Sequence, residues 1–405
     1  MTPTTGGDWW DDARFGLFVH WGVMSLLARG DWSMHREHIP VAEYERLGDR
    51  FTASTWDPAA QAALARRAGM RYGVLVTRHH DGFCLWDTAT DSFKATNTPA
   101  GRDLVSEWVD AFRAEGLRAG LYYSLLDWRA PAYWRGPYED PAGWAAFREH
   151  VHAQIRELLT GYGEIATLWY DGFWPHAGEA WHSLELDGMA RELQPGILIN
   201  DRSGIPGDFA TPEQSVGVLP PFGRWEACLT TNDYWGWHAG DHNWKSTTRI
   251  VRTLVQCASG GGNLLLNVGP DPEGAVPPPA VELLDAVGAW LRVNGDAVYG
   301  TMRSPLLAHA HGALTARPGK LYLHCYAWPE ERSITLGWLA NRASGARLLA
   351  DGTEVAVDQR DDIVTVHGLP TAAPDPMDTV IEIDFDGGPD VRPGGYVWWA
   401  GAAEY

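Results

Sequence analysis

Lysine and cysteine are the scarce residues of this 405-residue chain. Lysine occurs three times, at Lys94, Lys245 and Lys320, among 32 basic residues, a coding bias silent on function. The four cysteines, Cys84, Cys228, Cys257 and Cys325, form no CxxC pair. Their scatter argues against a zinc site and a disulfide framework, and free thiols predict a cytoplasmic protein. Long apolar runs are missing as well, since none approaches the ~20 residues of a membrane helix. The N-terminus, MTPTTGGDWWDD, lacks a basic stretch followed by an apolar one, so no signal peptide is expected and Met1 fits an unprocessed chain. Positive charge is in deficit. A net charge of -20 repels nucleic acid and anionic membranes and disfavours a polyanionic substrate.

Tryptophan is plentiful, at 22 residues. Indole faces pack well on the C–H faces of sugar rings, although they serve any core equally well. From residue 15 to about 295, apolar β-rich runs alternate with amphipathic ones. The strand candidates are FGLFVHWG (15–22), YGVLVTRHH (72–80), RAGLYYS (118–124), IATLWYD (165–171), GILIND (196–201), RWEACLT (224–230) and NLLLNVG (263–269). Helices are predicted at 57–69, stopped by Gly69, and at 103–116, opened by Asp103 and closed by Gly116. Others fall around 141–160, 183–193, 246–258 and 278–293. Buried strands alternating with helices predict a parallel sheet covered on both faces. Seven or eight such units suit a (β/α)8 barrel better than a doubly wound sheet, and no Gly-rich phosphate loop follows the first strand. After Gly300 short alternating strands and DG, RPG and GLP turns predict a small antiparallel β-sandwich. The expected division is a catalytic barrel over 1–300 and a β-domain over 301–405.

In a barrel, chemistry gathers at the C-terminal ends of the strands. The strand candidates end in His20, in His79-His80-Asp81, and in Tyr122, Asp171, Asp201-Arg202, Glu226 and Asn267. Metal-assisted hydrolysis through His79, His80 and Asp171 is one option. Adjacent strand residues point to opposite faces, however, and no HxH closes the first strand. The pairs His150/His152 and His309/His311 fall outside the expected mouth. Glycoside hydrolysis by two carboxylates is the other option. Asp171 lies within the apolar run ATLWYDGFW, where an unpaired carboxylate is costly unless it has a use. Its partner acid, about 5 Å away in a retaining enzyme, would come from GDFATPEQS as Glu213 or from RWEAC as Glu226.

In order along the chain, FGLFVHWG, TRHHDGFCLWDT, GLYYSLLDW, LWYDG, NDRSG, DFATPEQ and GGNLLLNVGP resemble the motifs of α-L-fucosidases of glycoside hydrolase family 29. The resemblance covers residues 9 to about 305. It implies Asp171 as nucleophile, and His20, His79, His80, Tyr122 and Arg202 as partners of the fucose hydroxyls. Phe18 and Trp169 would line the pocket for the C6 methyl group. TPEQ, WEACLT and YWGW are similar to the branch acting on α-1,3/1,4-linked fucose, which implies Glu213 as acid/base, with Glu226 as runner-up or aglycone contact. Where the family has Glu-Trp this chain has Asp31-Trp32, one methylene shorter, a departure that bears on the sugar's O3 or O4 edge. The implied substrate is a fucosylated oligosaccharide, cleaved with retention and without metal or organic cofactor. The alternatives are a broad-specificity fucosidase, a related glycosidase with altered glycone preference, and a non-catalytic sugar-binding protein.

Overall fold

The computed structural model describes residues 8–216, 223–306 and 309–392. Seven strands form the first sheet: β1 (Phe15–Val19), β2 (Tyr72–Arg78), β3 (Arg118–Ser124), β4 (Thr167–Asp171), β5 (Leu198–Ile199), β6 (Glu226–Thr230) and β7 (Asn263–Val268). Their order is β5-β4-β3-β2-β1-β7-β6, with every pair parallel. Parallel neighbours need long crossovers, and the predicted helices provide them. Asp57, Asp103, Asp140 and Ser246 each cap a helix by accepting a backbone N–H in its first turn.

Strand alternation sorts the core into two shells. One cluster takes Phe18, Val74, Tyr122, Trp169, Leu198, Cys228 and Leu265, one or more residues from each strand, with Phe209 and Trp10. A single cluster fed by all seven strands requires the sheet to curl around it. The opposite faces, among them Leu17, Leu75, Leu168 and Leu266, pack with the helices.

The ladder is open between β5 and β6. Isolated bridges Asn200–Phe209, Ala210–Trp225 and Glu213–Cys228 carry the segment 209–213 across that gap. The expected eight-stranded ladder is therefore a seven-stranded one. Pro212 has no amide hydrogen to donate and Gln214 has a φ of 55°, so regular pairing is interrupted where an eighth strand would run.

A second sheet contains β8 (Gly312–Arg317), β9 (Lys320–Cys325), β10 (Ser333–Leu336), β11 (Ala343–Leu348), β12 (Glu354–Arg360), β13 (Ile363–His367) and β14 (Thr379–Phe385). It is one antiparallel ladder, β10-β13-β12-β11-β14-β9-β8, rather than two separate sheets. Leu314 and Leu323 from one end share a core with Ile334 and Val364 from the other, so the ladder folds over on itself. It docks on the helices Thr247–Ser259 and Pro278–Asn294. There Trp290 Nε1 donates to the Asp378 carbonyl (3.2 Å) and Arg252 Nε to that of Met377 (2.8 Å). Behind that seam the fully buried His324 and Asp378 pair at 2.7 Å.

Candidate active site

The C-terminal ends of β1–β4 and the segments after β1, β5 and β6 line a cavity of about 190 Å³. Eleven of the twelve residues singled out from the sequence line it: Phe18, His20, Asp31, Trp32, His79, His80, Tyr122, Trp169, Asp171, Arg202 and Glu213. Phe18 and His20, like Trp169 and Asp171, sit two apart, so both pairs project inward from β1 and β4.

Asp171 ends β4. The chain leaves the strand at Gly172, whose φ is 72° and where a Cβ would fall 2.6 Å from that of Leu126. A side chain there is excluded by conformation and by space. Asp171 Oδ2 accepts from the Tyr122 hydroxyl (2.8 Å) and Oδ1 from Arg202 Nη1 (3.1 Å). His80 Nε2 stands 3.7 Å from Oδ2. His79 Nε2 stands 3.8 Å from Asp31 Oδ2. Opposite faces were expected for the two histidines, but the regular strand ends at Arg78 and both line the same cavity, their ring centroids 4.2 Å apart.

Arg202 joins the two acids. Its Nη2 donates to Glu213 Oε2 (2.9 Å) while Nη1 holds Asp171. Nε donates to Thr211 Oγ1 (2.9 Å), so the bridging segment 209–213 fixes the guanidinium and Glu213 together. The ion pairs raise the Arg202 pKa despite burial, and the cation persists at any working pH. Arg202 also lies over the Trp169 indole, 4.7 Å from its centroid.

The histidines present acceptors. Asn267 Nδ2 donates to the Trp235 carbonyl (2.7 Å), which leaves its Oδ1 to accept from His20 Nδ1 (2.6 Å). Ser124 Oγ donates to the Leu126 carbonyl (2.7 Å), so it accepts from His80 Nδ1 (2.7 Å). Each ring thus carries its hydrogen on Nδ1 and keeps Nε2 bare. Burial pushes His20 down to about 4 and His80 to about 3, and it also lowers His79, so all three are neutral at pH 7. Neutral imidazoles accept hydrogen bonds from hydroxyl groups without adding charge to the site.

Asp31 is 3% exposed. Its Oδ1 accepts from the Gly236 amide (3.1 Å), whereas Oδ2 and His79 Nδ1 have no hydrogen-bond partner among the described residues. Burial raises the Asp31 pKa. Buried polar atoms left open in a cavity call for hydrogen bonds from a ligand. The opposite wall is apolar, with Phe18 and Trp169 5.3 Å and Phe18 and Trp235 5.9 Å apart between ring centroids.

Glu226 is the twelfth residue, and the structure corrects its place. It is the first residue of β6, not the last, and is fully buried beneath the cavity. It accepts from Trp169 Nε1 (3.0 Å) and from the Tyr72 hydroxyl. It therefore supports the floor and reaches neither a leaving group nor an aglycone. Asp81 and Asp201 also turn away, accepting from Tyr44 and Thr211. His152 meets the Trp181 carbonyl, and His309 and His311 meet those of Thr335 and Ala327, all outside the cavity. Sequence reasoning missed three lining residues, Trp174, Cys228 and Trp235. Trp174 closes the ATLWYDGFW run and Trp235 lies in YWGW, so both were in view without a signal for direction.

Burial pushes the Glu226 carboxyl from 4.5 up to about 7. The native state keeps this proton where the unfolded chain has released it. Stability therefore falls as pH rises from about 4.5 to 7 and is level above, a change of about 3 kcal/mol. Glu226→Gln retains an acceptor for Trp169 and removes the titration. Its melting temperature relative to wild type is expected to rise across that interval in thermal melts. Parallel curves would remove Glu226 from the pH response.

Comparison with known proteins follows the same lines. The model of the family described as α-L-fucosidase matches residues 4–296. The tissue α-L-fucosidase of Bos taurus is 31% identical over 360 residues, covering 81% of this chain and 76% of the relative. Among solved structures, α-L-fucosidase isoenzyme 1 from Paenibacillus thiaminolyticus superposes with a TM-score of 0.89 at 40% identity, covering 94% of this chain and 99% of that one. A family 29 α-L-fucosidase from Bacteroides thetaiotaomicron, trapped as a covalent intermediate with 2-fluoro-fucosyl fluoride, gives 0.88 at 26% identity, with 93% and 95% covered.

Proposed function

This chain belongs to the α-L-fucosidase family and is a glycoside hydrolase, and from that premise we propose that it cleaves terminal α-L-fucosides with net retention, Asp171 acting as nucleophile and Glu213 as acid/base. The observation that carries the reading is the Arg202 fork, which holds both carboxylates on adjacent nitrogens. Retaining glycosidases set their two carboxyl groups about 5 Å apart, whereas inverting ones leave room for water between them. The covalent intermediate trapped in the Bacteroides relative supports the same chemistry.

Asp171 attacks the anomeric carbon while Glu213 protonates the departing oxygen. Glu213 then takes a proton from water, which releases fucose from Asp171. Arg202 and Tyr122 hold the nucleophile in place through two hydrogen bonds. The bare nitrogens of His20 and His80 accept from sugar hydroxyls, and Asp31 with His79 takes the O3–O4 edge. Phe18, Trp169 and Trp235 face the C6 methyl group, where an added hydroxyl would be buried without a partner. TPEQ, WEACLT and YWGW favour α-1,3/1,4-linked fucose on oligosaccharides. The segment 209–213 serves as an irregular eighth stave closing a (β/α)8 barrel, which keeps Glu213 beside Arg202.

Proton NMR of the sugar released from an aryl α-L-fucoside and from a fucosylated Lewis-type trisaccharide tests this reading. The α-anomer is expected first, before mutarotation, and the trisaccharide is the better substrate. The β-anomer appearing first would overturn the nucleophile assignment. A preference for the aryl fucoside would overturn the linkage.

A further inference from the structure

The cavity opens onto an aromatic shelf that the reaction centre leaves unused. Trp32, at the cavity wall, meets Trp128 edge-on at 5.3 Å between centroids. His35 stacks on Trp128 at 5.4 Å and 19°, and on Trp134 at 5.8 Å and 8°. Trp174, also at the cavity wall, lies 6.0 Å from His80. Trp134 is 54% exposed and Trp174 is 38% exposed.

We infer that this shelf, His35 and Trp134 backed by the buried Trp128, with Trp174 at the cavity wall, is an aglycone subsite that takes a neutral oligosaccharide, the sugars that carry the fucose. The inference rests on the fucosidase reading above. Exposed indoles clustered beside a cavity mark a binding surface more often than chance. Their placement is set before any ligand arrives. Trp134 Nε1 donates to the Trp128 carbonyl (2.9 Å), and the Tyr133 hydroxyl donates to that of Trp174. A rigid face loses little freedom when a pyranose packs on it. Trp32 and Trp174 both line the cavity and Trp32 packs on Trp128, so the shelf is continuous with the pocket that holds the first sugar. A net charge of -20 selects a neutral chain over a sialylated or sulfated one.

The test compares kcat/KM for an aryl α-L-fucoside, a fucosylated trisaccharide and a longer neutral fucosylated oligosaccharide. The proteins are wild type, Trp134→Ala and Trp134→Phe. The ratio of oligosaccharide to aryl activity is expected to fall about five- to tenfold in Trp134→Ala, through KM, and to recover largely in Trp134→Phe. An unchanged ratio in an active enzyme overturns the subsite and leaves the fucosidase reading intact. So does a shift from oligomer to monomer in sedimentation at an unchanged ratio, which would assign the shelf to a second copy of the chain. A wild type silent on every fucoside overturns both readings.

Discussion

Asp171→Ala is expected to lose at least about a thousandfold in kcat on an aryl α-L-fucoside. The variant should stay folded, because Arg202 keeps Glu213 and Thr211 as partners. The Tyr122 hydroxyl loses its acceptor, at about 1–3 kcal/mol, which thermal melts would register. Azide distinguishes a missing nucleophile from a distorted site. A small anion can enter the space vacated by the carboxylate and attack the anomeric carbon from the same side. The C–O bond breaks, Glu213 gives its proton to the leaving oxygen, and the product is β-L-fucosyl azide. Partial recovery of rate with that product identifies Asp171 as the attacking group. Recovery with the α-azide, or a loss below tenfold, would refute it.

The ends of the regular elements were legible because each carries its own chemistry. Asp103 accepts from the amide of Ser106, and Gly116 has a φ of 72°, as a helix start and stop require. The inward pairs were implied by the resemblance, and period-two alternation is the physical reason they hold: Phe18 projects with His20 and Trp169 with Asp171. Height along the barrel was not legible. RWEACLT reads as a strand ending in polar residues, yet its carboxylate enters at the first position of β6, and inward-facing Glu226 lands a layer too low. The sequence alone could not show that Trp169 would lie above it. Loops were opaque for another reason. Asp31, Trp174 and Trp235 come from three segments whose convergence depends on contacts far apart in sequence, such as the Gly236 amide on Asp31.

Glu213→Gln is expected to separate substrates by leaving group. A sugar alkoxide needs a full proton to depart, so the trisaccharide should lose about 10²–10⁴ in kcat/KM. An aryl fucoside with an acidic phenol needs little help in the first step, and its kcat/KM should fall far less. The second step needs Glu213 as base whatever has departed, so the fucosyl-Asp171 species should accumulate, visible as a burst and as an adduct by mass spectrometry. Azide needs no base. It should speed turnover of the aryl substrate and give the α-azide, two inversions having occurred, where Asp171→Ala gives the β-azide after one. Both expectations follow from one geometry, two carboxylates held by adjacent nitrogens of Arg202. Gln at 213 can still meet Arg202 through its amide oxygen, so a loss confined to chemistry leaves Asp171 anchored. An equal loss on all substrates, with no adduct, would mean that residue 213 works by holding Arg202 against Asp171, and the proton donor would have to be sought elsewhere along the rim of the cavity.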